Sequence, residues 1–484
     1  MARAGKDCFA SIIDGRELPE EGRSEMEVFN PFTHETIGKI SCATPEDVQS
    51  AVIGAHRVYS KTMKKMPAHI RSEILQKTAE QLRIEAEQFM RLLCEESGKP
   101  TKESRVEVER AIQVLRFAAE SAKSIYKELI PLGNAAGGEH QLGMSKRISL
   151  GTVAIITPFN LPVNLVVHKI APAIAAGNTV VLKPSVKTAL SSVFLYRLLE
   201  KAGLPKGAFN IILGVGEELT EALVAHPKVK CVMFAGKNKA GWKVKEMAKR
   251  KKVKLEPESK AINIIFEDAD LDTAVNAIVI GGFRYAGQSF MSAQRVYVQD
   301  AVYLQLLNKL SVKLKALKIG DPLDELTDMG PMITQESAEK AMSWATEAVD
   351  QGAALLVGGK SQKALMEPTV ISNVTAGMKI FSEQMLAPLI SVMPFDTEAE
   401  VLSSVADLNL DRYAAIFTAD IKRAQRVADA FGREAAWVNE VAVRRYEQIP
   451  YGGVNNSGIA KEGIYHAIEE MTDLKIIGIR LNRQ

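Results

Sequence analysis

Between residues 150 and 250 the chain alternates short, continuous apolar runs with amphipathic segments, and this alternation constrains the fold more than any other feature. The apolar runs are VAII (153–156), TVVLK (179–183), FNIIL (209–213) and VKCVMF (229–234). The helix-like segments are 161–176, 188–202, 217–226 and 239–250. Strands without polar alternation are buried on both faces, as in a parallel sheet covered by helices. The pattern predicts a doubly wound α/β domain with ligands at the carboxyl ends of its strands.

Helical and strand patterns also flank this region. Residues 67–125 repeat apolar positions at helical spacing, and Ser97-Gly98-Lys99-Pro100 interrupts them with a glycine stop followed by a proline. A glycine-rich stretch at 131–143 breaks the helical run and predicts an excursion from the domain. Further strands are expected at 262–267, 390–395 and 476–480, with a helix near 302–317.

Composition excludes several classes of protein. With 484 residues, 46% hydrophobic and 25% charged, the chain is long enough for two or three domains of ordinary globular type. A net charge of +3 is too close to zero for a dedicated nucleic-acid binder. The four cysteines are far apart, and the seven histidines include no pair at metal-ligand spacing, so no metal site is predicted. We find no signal peptide or long apolar span, and expect a cytoplasmic protein that does not enter membranes.

Two generic motifs leave alternatives open. Gly214-Val215-Gly216 lacks the third glycine of a dinucleotide fingerprint. The stretch from Gly236 to Gly241 follows a predicted strand and opens a helix, where free N–H groups and lysines would suit a phosphate, although a solvated turn is equally consistent. From Lys237 to Lys254 there are nine basic residues and one acid, which indicates either a solvated helix face or a polyanion patch.

Eight further segments follow one another along nearly the whole chain: ITPFNLPVNLVVHKIAPAIAAGNTVVLKPS (156–185), GLPKGAFNIILG (203–214), HPKVKCVMFAG (226–236), KLEPESKAINIIFEDADLD (254–272), YAGQSFMSAQRVYV (285–298), GDPLDELTDMGPMI (320–333), MPFDTEAEVL (393–402) and IPYGGVNNSGIAKEG (449–463). In order and spacing they resemble the aldehyde dehydrogenase superfamily. The stretch GQSFMSAQRVYV is most similar to its lactaldehyde-dehydrogenase-like branch.

The resemblance implies three structural parts. These are a Rossmann-type, doubly wound NAD(P)-binding domain (1–125 and 148–254), an α/β catalytic domain (255–450), and a β-hairpin oligomerisation arm joined by the C-terminal tail (126–147 and 451–484). It also implies a homo-oligomer, a dimer or tetramer, which could include an active paralogue as partner.

The resemblance implies a reaction as well. In the family a cysteine thiolate attacks the aldehyde, an asparagine amide holds the oxyanion, hydride passes to the nicotinamide, and a glutamate activates the water that releases the acid. Asn160 in TPFNLP matches the oxyanion asparagine, and Glu256 in KLEPES matches the glutamate. Lys183 in LKPS matches the lysine that holds the adenosine ribose.

The nucleophile is missing from this sequence. The family reads Gly-Gln-x-Cys where this chain reads Gly287-Gln288-Ser289-Phe290, so an aromatic ring occupies the cysteine position. A benzyl group has no lone pair for attack on a carbonyl. Ser289 and Ser292 flank the position, but a serine needs an adjacent base to become nucleophilic, and no motif supplies one.

The expected cofactor contacts are altered too. The glycines of Glu-Leu-Gly-Gly are replaced in Glu256-Pro257-Glu258-Ser259, and the glutamate and phenylalanine of Glu-x-Phe-Gly-Pro are replaced by Gln384 and Leu386. Lys237 follows Gly236 in place of a phosphate-contacting serine, and Ser185 of LKPS is followed by a valine instead of the acid common in NAD-preferring members. We therefore expect binding of NAD or NADP to be weakened or lost.

Three functions follow as hypotheses. The favoured one is a pseudoenzyme that acts by assembly or ligand binding. The second is an NAD(P)-dependent oxidoreductase in which Glu256 activates water directly, and the third is polyanion binding through Lys237 to Lys254. Arg284 and Tyr446 fall in segments that resemble the substrate tunnel, where they would favour an anionic ligand, or they belong to surface loops.

Overall fold

The predicted doubly wound domain is formed by a mainly parallel sheet. The computed structural model describes residues 8–125, 127–258, 260–406, 412–431, 435–450, 452, 458–459 and 463–481. In that part of the chain, seven strands are hydrogen-bonded in the order Lys252–Pro257, Val229–Gly236, Thr152–Ile156, Thr179–Lys183, Phe209–Ile211, Ile12–Ile13 and Arg16–Glu17. The first five are parallel, and the last two run antiparallel to their neighbours.

Helices cover this sheet as the sequence pattern predicts. They are Pro45–Lys61, Asn164–Ala175, Ala189–Lys201, Glu217–Ala225 and Asn238–Ala248, with Ala68–Ile84, Ala86–Ser97 and Thr101–Lys123 packed outside. The predicted interruption is present, because Gly98 ends one helix in the left-handed conformation (φ 71°) and Pro100 precedes the next. Every residue of Asn164–Ala175 is buried, which makes it the central helix of the domain.

The strand order produces a crevice where a ligand can bind. From the central strand Thr152–Ile156 the chain builds the sheet first to one side and then to the other. The segments that leave the neighbouring strands at this point begin at Thr157 and Lys237. Such a switch in strand order opens a crevice at the carboxyl ends of the strands.

A second α/β domain is built on another sheet of seven described strands. Their order is Ala354–Val357, Thr369–Ser372, Leu389–Phe395, Arg295–Gln299, Lys260–Ile265, Arg412–Phe417 and Ala436–Val438. Its helices include Leu271–Phe283, Asp300–Lys315, Gln335–Asp350, Lys379–Ser382, Glu398–Ala406 and Ile421–Ala430. Strand Lys252–Pro257 belongs to the first sheet, so the chain crosses between domains a few residues after the predicted boundary at 254.

The glycine-rich excursion forms an arm. Gln141–Ser149 pairs with Lys127–Ile130 and, over nine residues, with Thr472–Arg480 near the C-terminus. Helix Ile464–Glu470 leads into the last strand. Most of the 451–462 part of the motif IPYGGVNNSGIAKEG lies outside the described residues. None of the described helices is long and apolar enough to cross a membrane.

Candidate active site

A cavity of about 310 Å³ lies between the two domains, at the carboxyl end of the first sheet. Its walls come from helices Thr101–Lys123 and Asn164–Ala175, from residues 280–291 and from residues 440–445. The predicted residues Glu256, Phe290 and Arg284 all line it. Three of the predicted site residues therefore share one cavity, and the roles assigned to them stay predictions.

The ring of Phe290 is fixed in an apolar setting at the cavity wall. Its side chain is 7% exposed and packs against Leu165 of the central helix and Ala235 of the first sheet. The partly buried Leu161 and Leu386 complete the cluster. An aromatic ring held by four aliphatic neighbours supplies bulk, and no nucleophile, at this position.

The four cysteines lie outside the lining of this cavity. Cys8 and Cys42 are partly exposed, Cys94 and Cys231 are buried, and none of them lines the described cavity. Burial raises the pKa of Cys94 to about 11 and that of Cys231 to about 12. A thiol with such a pKa is almost entirely protonated near neutral pH, and the protonated form is a poor nucleophile.

Glu256 is held by a buried lysine that the motif analysis missed. Lys169 Nζ lies 2.8 Å from Glu256 Oε2, with side-chain exposures of 0% and 6%. A signal for Lys169 was available in the sequence, because a charged residue inside an otherwise apolar helix needs a buried partner. The ammonium compensates the charge of the buried carboxylate.

Asn160 presents a buried amide with unused hydrogen-bonding capacity. Its side chain is fully buried, and neither its Oδ1 nor its Nδ2 has a hydrogen-bond partner among the described residues. Its backbone oxygen accepts a hydrogen bond of 3.1 Å from Lys99 Nζ. A buried amide without partners costs free energy, so this position suits a polar group of a ligand.

A second buried ion pair supports the segment that carries Asn160. Lys99 pairs with Glu107, and both side chains are at most 3% exposed. Glu107 Oε1 accepts hydrogen bonds of 3.0 Å from the backbone N–H groups of Val163 and Asn164, at the start of the central helix. The carboxylate therefore satisfies helix N–H groups that have no partner within the helix.

A third buried cluster ties the two domains together. Glu447 lies between Arg110, whose Nε is 2.5 Å away, and the ring of His168. Burial alone would raise the pKa of Glu447, but the hydrogen bonds and charges of His168 and Arg110 outweigh it and lower the pKa to about 2. The carboxylate is consequently ionised at neutral pH.

The backbone before Phe290 is strained. Tyr285 and Ala286 have φ of 48° and 50°, and Gly287 continues the left-handed stretch with φ 66°. A Cβ on Gly287 would collide with the carbonyl oxygen of Ala387. Left-handed conformations of residues other than glycine cost about 1–2 kcal/mol each, so the surrounding packing must hold this loop in place.

Glu258 and Gln384, two residues at the predicted nicotinamide contacts, are connected by hydrogen bonds. The Glu258 N–H donates to the Gly236 oxygen (2.9 Å), and Gln384 Nε2 donates to the Glu258 oxygen (2.8 Å). Burial raises the pKa of the Glu258 carboxyl to about 7, although the charge of Lys237 opposes the increase. Leu386, the other residue predicted at a nicotinamide contact, packs against the cluster that contains Phe290.

The predicted phosphate side is more open. Lys183 is partly buried, and burial lowers its pKa. Ser185 Oγ accepts from the Lys187 N–H at 3.3 Å, and burial and the charge of Lys237 both lower the pKa of Lys187. Lysines that lie near each other at the carboxyl ends of the strands favour the binding of phosphate groups. Among the described residues, no cluster of His, Cys, Asp or Glu could hold a metal ion.

The other predicted residues are placed less centrally. Arg284 Nε is 3.0 Å from Glu103 Oε1, so its charge is partly compensated before any ligand binds. Tyr446 is 49% exposed, packs against Trp437 and lies outside the described lining of the cavity. Arg284 therefore lines the cavity, whereas Tyr446 lies at the surface.

The lysine-rich stretch after Gly236 is dispersed in the structure. Lys243 pairs with Glu217 (2.5 Å) and Lys252 with Asp473 (2.6 Å), while Lys254 is buried. Three of its nine cations are therefore paired or buried, which weakens the polyanion hypothesis for this segment.

Comparison with known proteins identifies the family. The family model described as "Aldehyde dehydrogenase family" matches residues 18–477. The chain belongs to the aldehyde dehydrogenase family. Both the sequence resemblance and the predicted fold class are confirmed. Relatives include 3-sulfolactaldehyde dehydrogenase of Priestia aryabhattai, 39% identical over 96% of each chain, and lactaldehyde dehydrogenase of Methanocaldococcus jannaschii, 36% identical over 96% of this chain and 99% of that one.

Solved structures of the aldehyde dehydrogenase family have the same architecture. Aldehyde dehydrogenase 21 of Physcomitrella patens, solved with the reaction product succinate, superposes with a TM-score of 0.93 at 32% identity and covers 99% of both chains. Glyceraldehyde-3-phosphate dehydrogenase of Methanocaldococcus jannaschii, complexed with NADP, gives 0.90 at 35% identity and covers 95% of this chain and 100% of that one.

Proposed function

We propose that this aldehyde dehydrogenase family member lacks cysteine-dependent aldehyde oxidation and acts through a retained ligand cavity and through assembly. The observation that carries the proposal is the buried ring of Phe290 in the cavity wall, in a chain whose cysteines all lie elsewhere. Without a thiolate there is no covalent intermediate from which hydride can be transferred. The fold is kept, and the chemistry that defines the family is not.

The cavity itself supports ligand binding. It has room for a short polar molecule, and it is lined by Leu161, the residue after Asn160. The Asn160 amide has no hydrogen-bond partner among the described residues. The relatives are named for lactaldehyde and 3-sulfolactaldehyde, which are small hydroxyaldehydes. We therefore take a short hydroxyaldehyde or the corresponding acid as the ligand class.

The decisive experiment is a turnover assay. Purified protein is incubated with NAD or NADP and with lactaldehyde, 3-sulfolactaldehyde or succinate semialdehyde, and reduction of the nucleotide is followed by absorbance. We expect no turnover, whereas ordinary enzymes reach about 1–10³ s⁻¹. A rate in that range with any of these aldehydes contradicts the proposal.

A pair of substitutions locates the defect. Phe290→Cys supplies the thiol and removes the ring, while Phe290→Ala removes the ring alone and serves as the matched control. Activity in the cysteine variant only would show that Asn160 and Glu256 still form a competent site. No activity in either variant would place the defect in cofactor binding.

A second candidate is a dehydrogenase in which Glu256 activates water and hydride leaves the hydrated aldehyde. One observation favours it, because Glu256 lines the same cavity as Phe290. The ion pair opposes it, because the carboxylate that would take a proton from water is already engaged by Lys169 Nζ at 2.8 Å. If any turnover is measured, Glu256→Gln should abolish it; unchanged turnover excludes this route.

Cofactor binding is proposed to be retained at the phosphates and weakened at the nicotinamide. The lysines near Ser185 support the first part, and the space filled by Glu258 and Phe290 supports the second. Calorimetry with NADP, NAD and 2′,5′-ADP measures this directly. We expect NADP to bind no more tightly than 2′,5′-ADP; a large gain from the nicotinamide half would refute this part.

Assembly is proposed to use the arm. Along its C-terminal strand, Leu474, Ile476 and Ile479 are 59%, 61% and 42% exposed, an apolar edge that another subunit can cover. Sedimentation should show a dimer or tetramer that Ile476→Asp dissociates. A monomeric parent protein would contradict this, and co-purification with an active relative would identify a mixed assembly.

A further inference from the structure

Another cavity, of about 620 Å³, lies where the arm meets the first domain, apart from the site described above. Helix Pro45–Lys61 and the residues after it form one wall, and arm residues 146–151 form another. The turn at Ala176–Gly177 and residues 473 and 475 of the last strand complete it.

The lining of this cavity is strongly basic. Five of its cations have no ion-pair partner among the described residues: Lys64, Arg71, Lys146, Lys230 and Lys475. The carboxylate in the lining, Asp473, is already paired with Lys252 at 2.6 Å. The remaining lining arginine, Arg147, is paired with Glu469 at 2.5 Å. The cavity lining therefore carries a net positive charge even after the ion pairs of Asp473 and Arg147 are taken into account.

Two of these lysines are placed directly against each other. Lys475 of the last strand is the cross-strand partner of Lys146, and both line the cavity. Like charges at directly opposed positions of a sheet destabilise it. The arrangement is unfavourable in the free protein and becomes favourable when an anion lies between the two ammonium groups.

Backbone carbonyl groups also hold the side chain of Arg71 in position at this cavity. Its Nε donates to the Ala175 oxygen at 2.9 Å and its Nη1 donates to the Met66 oxygen, so carbonyl groups hold the guanidinium without neutralising it. Gly177, with φ 86°, leaves space beside it, because a Cβ there would lie 3.6 Å from Nη1. Positive potential is also evident at His56, whose pKa is lowered by burial and by the charges of Lys228 and Lys230.

We propose that this cavity binds a small anion carrying two or more linked phosphate groups. The charge requires a multivalent anion, and the volume accommodates a triphosphate or a nucleoside triphosphate. The rings of His56 and Tyr59 in the same lining offer a surface on which a base can rest. The proposal is independent of the function proposed for the first cavity.

Titration calorimetry of the full chain with inorganic triphosphate and with ATP tests the site. We expect triphosphate to bind at low salt and to bind more weakly as salt increases. Lys146→Ala and Lys475→Ala should each weaken binding by about fivefold, the effect of one charge at about 4 Å in water. Equal affinity for ATP would assign recognition to the phosphates alone, and tighter ATP binding would add the ring contacts; either result supports the site.

Two lysines outside the cavity serve as controls. Lys313→Ala removes an exposed cation of helix Asp300–Lys315, and Lys340→Ala removes one from helix Gln335–Asp350. Neither should change triphosphate affinity. Loss of binding in either control with the Lys146 and Lys475 variants unaffected overturns the proposal, as does the absence of binding to the parent at low salt. Melting temperatures of the two cavity variants at or above that of the parent show that the fold is intact.

Discussion

Glu258 offers a sharp test of how the cleft is built. Its carboxyl is buried next to the chain crossing between the domains, and burial raises its pKa from 4.5 to about 7. Glu258→Gln removes the ionisable group. The substitution keeps both backbone hydrogen bonds, to Gly236 and from Gln384.

The sign of the pH effect follows from proton binding. Below pH 4.5 the carboxyl is protonated in both the folded and the unfolded chain, so it has no effect. Between pH 4.5 and 7 the folded chain holds a proton that the unfolded chain has lost, so stability falls as pH rises. Above pH 7 the loss is complete and amounts to about 3 kcal/mol, from about 1.4 kcal/mol per pH unit.

Thermal melting from pH 5 to 9 measures the effect. For a domain of 150–250 residues, 1 kcal/mol shifts the melting temperature by about 2–4 °C, so the parent should lose about 6–12 °C relative to Glu258→Gln between pH 5 and pH 8. Glu246→Gln, at an exposed position of helix Asn238–Ala248, is the matched control and should follow the parent. Parallel curves for the parent and Glu258→Gln would refute the reasoning, because they would mean that the buried carboxyl titrates as it does in the unfolded chain.

Three further substitutions test the buried framework. Glu447→Gln should destabilise the protein by about 3–5 kcal/mol at pH 7, because it leaves buried cations unpaired. Since the pKa of Glu447 is about 2, the difference in unfolding free energy between parent and variant should shrink as pH falls from 4.5 toward 2. Urea denaturation measures this difference, and a difference that stays constant with pH would contradict the ion cluster. Lys99→Met should cost a similar amount by leaving Glu107 uncompensated, and a loss below about 1 kcal/mol in the same assay would show that the pair is not buried. Gly287→Ala should cost about 2 kcal/mol or more because of its positive φ and the collision with Ala387, and an unchanged melting temperature would exclude the left-handed loop.

The sequence by itself determined the layered architecture. Continuous apolar runs predicted strands buried on both faces, and the structure has parallel strands at Thr152–Ile156, Thr179–Lys183, Phe209–Ile211 and Val229–Gly236. These predictions succeed because strand and helix periodicity are local properties of the chain. The aromatic residue at position 290 and the positions of the four cysteines are equally direct readings of the sequence.

The tertiary structure alone decided which charged groups meet. Glu256 and Lys169 are 87 residues apart, and Arg110 and Glu447 are 337 apart. The facing of Lys146 and Lys475 depends on strand register between an internal hairpin and the C-terminal strand. No local pattern encodes such pairings, because they arise from the path of the chain between the two sheets and the arm. The electrostatics of both cavities therefore became visible only in the folded protein.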